Sequence, residues 1–222
     1  MENNKKKGIL EIWGHKTYRP FRIYWILYEF KLNFKSYKIG SRTGETQTES
    51  YLNMNPKGKI PILRHNNSII TESLAAVNYI TYNFSKPEDF FIPRTSIEKA
   101  KVDEWNAFSL MELDCLVVYI LRRHEKEENS GLANLYGEAP NAIKTAREHF
   151  NKMIKARERS IPDNGWLFGE SPSVADIIFI SCLMHCDRFN LDIKSEKVLS
   201  FFERATSRAA YINAYQDCFK AE

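Results

Sequence analysis

Two neighbouring stretches hold the residue types that could bind a small ligand. One is Asn55 to Leu63, reading NPKGKIPIL, and the other is Ile70 to Ala75, reading ITESLA. Pro61 stands between Ile60 and Ile62, where an apolar strand should begin. Proline cannot donate to a strand ladder, so it belongs at a strand's first residue or in a special turn. A trans bond at a strand start satisfies that rule, and so does a cis bond, since X–Pro bonds lose little on becoming cis. If Ile60–Pro61 is cis, the N–H and C=O of Ile60 can pair with an extended peptide as an added strand would. Ser73 falls in the first turn of an amphipathic run, and free N–H groups at a helix N-terminus form an anion site. A small peptide with a free carboxylate fits both features. That presentation of backbone to a peptide makes cis the expectation for Ile60–Pro61.

These groups need strands and a helix to position them. Ile62 to Arg64 and Ser68 to Ile70 flank His65-Asn66-Asn67, and an Asn-Asn pair accepts the positive φ of a tight hairpin. Leu74, Val77, Ile80 and Phe84 then recur at helical spacing. Upstream, Ile9 to Trp13 reads as a first strand and Gly14 to Arg19 as a polar loop. Pro20 suits the first turn of a helix, and Phe21, Tyr24, Trp25, Leu27 and Tyr28 carry its period up to Leu32. Phe34 to Ile39 reads as a second strand, and Ser41 to Ser50 as a polar loop long enough to move over a site. A β–α–β start followed by a hairpin and a helix predicts a parallel pair beside an antiparallel one.

Ser85 to Ser96 carries Pro87 and Pro93, breaks both periods and reads as a linker. Beyond it the pattern is helical. Ile97 to His124 has Val102, Trp105, Phe108, Met111 and Cys115 at the spacing of one face. Glu125 to Gly137 is polar, and a helix from Pro140 turns Ile143, Ala146, Phe150 and Met153 inward. Ser173 and Asp176 form a capping-box arrangement. The helix it opens, Ile177 to Cys186, is apolar nearly all round and should be the core of a second domain. Phe201 to Tyr211 reads as a closing amphipathic helix.

Composition excludes several classes. The chain has 222 residues, 43% hydrophobic and 27% charged, enough for one or two cores. Its net charge of +4 comes from 32 basic and 28 acidic residues mixed along the chain, a solvated surface without a nucleic-acid stripe. Lys5-Lys6-Lys7 is not followed by an apolar segment, so a short disordered tail is expected there in place of a signal peptide. The longest apolar run, Ile177 to Met184, is too short to span a bilayer. The four cysteines, at 115, 182, 186 and 218, form no metal-ligand pattern, and Cys182 and Cys186 suit buried thiols. A reducing cytoplasm is the simplest compartment.

The run Asn55-Pro56-Lys57-Gly58-Lys59-Ile60-Pro61-Ile62-Leu63, followed by Thr71-Glu72-Ser73-Leu74-Ala75, resembles the glutathione S-transferase superfamily. The likeness extends through most of the chain. It implies a thioredoxin-like α/β domain over residues 8–84, a linker over 85–96 and an all-helical domain over 97–222. It implies glutathione as co-substrate, a small hydrophobic electrophile, and no metal. It also implies a cytosolic homodimer, assembled through the helix from Glu72 to Phe84 and the long helix beginning near Ile97. In the family, the E-S pair holds the γ-glutamyl end of glutathione, which assigns the carboxylate to Ser73 and the region of the ammonium to Glu72. Ile60 and Pro61 match the residues that meet the cysteinyl part, and Lys59 or Lys57 the glycyl carboxylate. The electrophile pocket would lie between domains, near Phe108, Met111, Tyr119 and the 41–50 loop.

Such an enzyme must lower the thiol pKa of bound glutathione, because the thiolate is the nucleophile. No cysteine precedes Cys115, so the cysteine-type members match poorly, and Glu11, Ile12 and Trp13 stand where tyrosine-type members carry Tyr. The serine-type members place Ser some five residues before a basic residue of the first helix. Counting back from Arg22 gives Thr17, and a slip of one gives Tyr18. Threonine departs from the usual serine. His15 shares the loop, either as an assistant or as a surface group. A catalytically idle ligand-binding protein and a protein-interaction module of the same fold remain the alternatives.

Overall fold

The computed structural model describes residues 8–129 and 131–220. The Lys5-Lys6-Lys7 run and the tail expected there lie outside the described residues. The chain forms two compact units. The first takes the residues up to Phe90 and resumes at Ser207, and the second runs from Phe91 to Thr206.

The first unit is built on β1 (Leu10–Trp13), α1 (Tyr18–Glu29), β2 (Phe34–Tyr37), α2 (Glu49–Met54), β3 (Ile62–His65), β4 (Ser68–Ile70) and α3 (Ser73–Asn83). The sheet order is β2-β1-β3-β4, with β1 parallel to β2 and antiparallel to β3, and β4 antiparallel to β3. Trp13 therefore faces Tyr37 on one side and Ile62 on the other, and its ring stacks on Tyr37 at 4.4 Å between centroids. Asn66, in the hairpin, has φ +55, as the Asn-Asn turn requires. α1 is buried on almost every side because α3 and the later α10 (Ala209–Tyr215) also pack against it. It starts two residues ahead of Pro20, which occupies its third position, and ends at Glu29 instead of Leu32. The polar 41–50 loop is partly helical. Glu45–Gln47 forms a 3₁₀ turn, and Thr48 caps α2 by accepting the Tyr51 N–H at 3.3 Å, which delivers the Tyr51 ring to the interior.

The second unit holds α4 (Ser96–Ala107), a π-helical segment (Phe108–Val118), α5 (Tyr119–His124), α6 (Ala133–Tyr136), α7 (Pro140–Arg157), α8 (Val174–Leu183) and α9 (Glu196–Thr206). The expected single face of the long helix breaks at the π segment. Val102, Trp105 and Phe108 are buried, but Met111 is 59% exposed and Cys115 is exposed. A π turn spaces bonded residues five apart, so Leu113 and Val118 follow Phe108 into the interior instead. On α7, Ala146 and Phe150 are buried as expected, with Ile154 taking the place assigned to Met153. α8 is buried along its whole length and carries Phe179 against Trp105 and Phe201. It stops at Leu183, short of Cys186, which is buried beyond its end.

The fold is thus a small four-stranded α/β domain followed by a helical one. The closing segment divides differently from the 97–222 expectation. The helix expected over Phe201 to Tyr211 breaks at Ser207–Arg208, and α10 and the π turn Gln216–Lys220 join the first unit. Two contacts explain the break: Tyr211 packs on Phe21 and Trp25 of α1 at 5.1 and 5.0 Å, and Arg208 pairs with buried Glu29.

Candidate functional site

The first turn of α3 offers an anion site with one hydroxyl. Glu72 is its N-cap, extended at φ −113, and its side chain makes no cap bond. The Ala76 N–H is spent on the Glu72 carbonyl at 2.9 Å, whereas N–H groups at the first three positions of a helix have no intrahelical partner. Ser73 is the first helical residue and is 6% exposed. Its Oγ accepts from Arg22 Nη1 at 3.2 Å. The exposed Glu72 carboxylate is met by the Lys57 ammonium.

Next to it, Asn55 and Tyr51 fold the proline motif. Gly58, at φ +57, donates its N–H to the Asn55 carbonyl at 2.9 Å. The Asn55 amide and the Tyr51 hydroxyl both donate to the Lys59 carbonyl, at 2.6 and 2.8 Å. Burial pushes the Tyr51 hydroxyl's pKa up, which keeps it a donor. The Ile60–Pro61 bond is cis, as expected. Among the described residues no hydrogen bond is made by the N–H or C=O of Ile60, because β3 begins only at Ile62. Gly14, at φ +119, lies against this corner. A Cβ there would stand 2.8 Å from Ile60 Cβ and 3.1 Å from Pro20 Cγ, so only glycine fits. That contact brings the β1–α1 loop beside the proline motif.

Thr17 closes that loop as the N-cap of α1, at φ −142 and ψ 155. Its carbonyl accepts the Phe21 N–H at 3.2 Å, but its hydroxyl makes no cap bond. The residue type that ordinarily spends its oxygen on its own helix has no partner for it here among the described residues. Tyr18 is 2% exposed, with the Arg22 guanidinium 5.2 Å from its ring centre. His15 turns Nδ1 to the Ile39 carbonyl at 3.0 Å.

Seven positions were expected to form the site. Glu72 caps α3 and Ser73 opens it, Ile60 and Pro61 stand just ahead of β3, and Thr17 caps α1. Tyr18 is turned inward and the Lys59 side chain is exposed, while Lys57 reaches Glu72. Phe108, Met111 and Tyr119 belong to the second unit. Arg22 is a site residue that the family spacing alone does not reveal. A lone cation among Phe21, Ile23, Tyr24 and Trp25 was the signal that it serves a buried acceptor. Among the described residues there is no His/Cys/Asp/Glu group that could hold a metal ion and no helix long and apolar enough to cross a membrane.

The first turn of α3 thus offers backbone N–H groups and one hydroxyl, Glu72 a carboxylate beside them, and Ile60 an unpaired stretch of main chain among the described residues. The chain matches the family model for the glutathione S-transferase N-terminal domain over residues 9–82 and that for the C-terminal domain over residues 113–209. It belongs to the glutathione S-transferase superfamily. It is 23% identical over 190 residues to "Glutathione S-transferase A" of Pleuronectes platessa, spanning 83% of this chain and 80% of that protein. It is 28% identical over 144 residues to "Elongation factor 1-gamma 2" of Oryza sativa subsp. japonica, spanning 65% of this chain and 31% of that one. In fold it is similar to the glutathione transferase URE2P6 from Phanerochaete chrysosporium, crystallised with oxidised glutathione. That likeness has a TM-score of 0.80 at 18% identity, over 97% of this chain and 99% of the other.

Proposed function

We propose that the protein is a glutathione transferase. It binds glutathione in the first unit and attacks a small hydrophobic electrophile with the thiolate, by conjugation or by glutathione-dependent peroxide reduction. The observation that carries this reading is the buried Arg22–Ser73 bond at the N-terminus of α3, beside Glu72. It presents one hydroxyl and unpaired N–H groups to a carboxylate, and Glu72 supplies the counter-charge for an ammonium on the same ligand. Ile60 and Pro61 take the cysteinyl main chain, and the exposed Lys59 the glycyl carboxylate, since Lys57 is spent on Glu72. Thr17 donates its hydroxyl to the sulfur. A homodimer in a reducing cytoplasm completes the reading.

A second reading has an observation of its own, the match to "Elongation factor 1-gamma 2" over 31% of that protein. It is a non-catalytic ligand-binding or protein-interaction protein on the same fold. Retention on immobilised glutathione, followed by turnover of a chloro-nitrobenzene or of an organic hydroperoxide, separates the two. Retention with turnover is expected. Retention without either turnover turns the assignment to the binding protein, and no retention turns it to the interaction module. Light scattering should read twice the 26.0 kDa of one chain.

A further inference from the structure

The geometry points to the closing segment of the chain, Asp217 and Cys218, as the device that holds the Thr17 loop in its thiol-facing shape. This inference rests on the proposed role of Thr17. The loop between β1 and α1 is tied at the N–H groups of Gly14, His15 and Lys16 and at the carbonyls of Gly14 and Thr17. Gly14 donates to the Tyr37 carbonyl at 3.0 Å and His15 to the Ile39 carbonyl at 3.1 Å. The Gly14 carbonyl accepts from the Tyr24 hydroxyl at 3.3 Å. Those ties come from β2, the residues just past it and α1. The last two come from some two hundred residues later. The Lys16 N–H donates to the Cys218 carbonyl at 2.9 Å, and the Cys218 thiol points at the Thr17 carbonyl at 3.8 Å.

Lys16 needs that tie. Its φ is +54, the left-handed region that is uncommon for a residue with a Cβ, so the conformation is easily lost when its ties are removed. Thr17 follows directly, so the direction of its hydroxyl depends on Lys16 staying there. The Cys218 carbonyl is held in turn by its neighbour. Lys38, just past β2, donates to both the Asp217 carbonyl and Asp217 Oδ1, each at 2.5 Å. The Tyr28 hydroxyl of α1 donates to Asp217 Oδ2 at 3.2 Å. Phe219 packs on Phe21 at 5.7 Å and anchors the far side of the turn. The ionisable groups that face Asp217 and Cys218 are thus Tyr24, Tyr28 and Lys38, with Lys220 on the same turn. A hydrogen bond from a hydroxyl to a thiolate depends steeply on aim. A loop released at Lys16 would keep glutathione and lose thiol activation, since the α3 site is held separately by Arg22.

The test is ultraviolet thiolate absorbance of bound glutathione against pH, with affinity by calorimetry and folding by circular dichroism. The variants are Lys38→Met, Asp217→Asn, the milder Tyr28→Phe, the rescue Lys38→Arg and the reference Thr17→Val. Lys38→Met and Asp217→Asn should raise the thiol midpoint by about half a unit up to the Thr17→Val shift, roughly one to two units. Tyr28→Phe should move it less and in the same direction, and Lys38→Arg should restore it. Affinity should change less than about twofold, and Thr17→Val combined with Asp217→Asn should add nothing further, as coupled sites behave. If Thr17→Val moves the midpoint while the other variants only lower the melting temperature, the segment is structural and the inference falls with the Thr17 role intact. If Thr17→Val itself leaves the midpoint unmoved, the role of Thr17 fails first and this inference with it. Should Lys38→Met or Asp217→Asn fail to fold, Tyr28→Phe decides in the same terms.

Discussion

Arg22 Nη1 and Ser73 Oγ lie 3.2 Å apart in the interior of the first unit, joining the middle of α1 to the first residue of α3. The guanidinium can only donate, so the hydroxyl oxygen is the acceptor and its own proton must point elsewhere. In the proposed site that proton goes to the ligand carboxylate. A hydroxyl that accepts from a cation is also polarised into a better donor. Ser73→Ala should therefore cost a charge-assisted bond of roughly 1.5–3 kcal/mol, about tenfold or more in glutathione affinity. Arg22→Met should weaken binding by a similar factor. In a double-mutant cycle by calorimetry the two losses should be strongly non-additive, because Arg22 acts on the ligand through Ser73. Additive losses would mean that Arg22 acts by another route.

Thr17 and Tyr18 present opposite faces of one question, and their burial separates them. Tyr18 is 2% exposed under the Arg22 guanidinium, whereas Thr17 is half-buried with an unspent hydroxyl. One donor aimed at a thiolate contributes roughly 1.5–3 kcal/mol. At about 1.36 kcal/mol per unit, that lowers a thiol pKa near 8.5 by roughly one to two units. The field of the α1 N-terminus acts in the same direction. Thr17→Val should raise the thiolate midpoint by that amount and slow conjugation at neutral pH about tenfold or more, and Tyr18→Phe should leave both within about twofold. A midpoint moved by Tyr18→Phe alone would transfer the role to Tyr18.

Local chemistry made much of this legible in the sequence. Pro61 between two isoleucines, the Asn-Asn hairpin and the Ser173–Asp176 cap each reach their structural role through residues a few positions apart. The strands and α3 follow from that directly. What stayed hidden depends on distant partners. The period of Met111 and Cys115 is that of an α-helix, and only packing reveals the π segment that turns them outward. Ser207 and Arg208 look like ordinary helical residues until Glu29 draws the chain back to α1. Arg22 is visible as a cation among aromatic residues, but its acceptor is 51 positions away.

Glu29 and Arg208 supply a prediction about stability. The Glu29 carboxylate is 2% exposed and receives Arg208 Nε at 2.7 Å, Nη2 at 2.8 Å and the Trp25 indole N–H at 2.8 Å. Arg208 also reaches Asp89 Oδ2 at 2.7 Å, and this bond holds the Asp89 carboxyl below the usual range. Removing one partner of a buried pair strands the other charge. Arg208→Met should destabilise the protein by about 3 kcal/mol in urea, and adding Glu29→Gln should recover part of that loss. A loss below about 1 kcal/mol would rank the pair with exposed surface bridges.

Asp176 makes stability depend on pH through the second unit. Its carboxylate is fully buried at the start of α8, where Oδ2 accepts from the Ser173 N–H at 2.7 Å and the Ser173 hydroxyl at 2.6 Å. Oδ1 accepts from the Leu167 N–H at 3.0 Å. Burial disfavours the charge and outweighs these three donors, so the carboxyl is pushed up to about 6. An unfolded aspartate titrates near 3.9, so between the two values the folded chain binds the extra proton. Stability from this group is then full below about pH 4 and falls as pH rises through about 6, by at most about 1 kcal/mol per unit. Asp176→Asn cannot titrate, and its amide would bring hydrogens against two donors, so it should be less stable throughout. The gap between parent and Asp176→Asn should be larger at about pH 4.5 than at about pH 7.5, measured by urea midpoints. A gap that widens with rising pH would mean that the three donors outweigh burial and that Asp176 is an ordinary ionised cap.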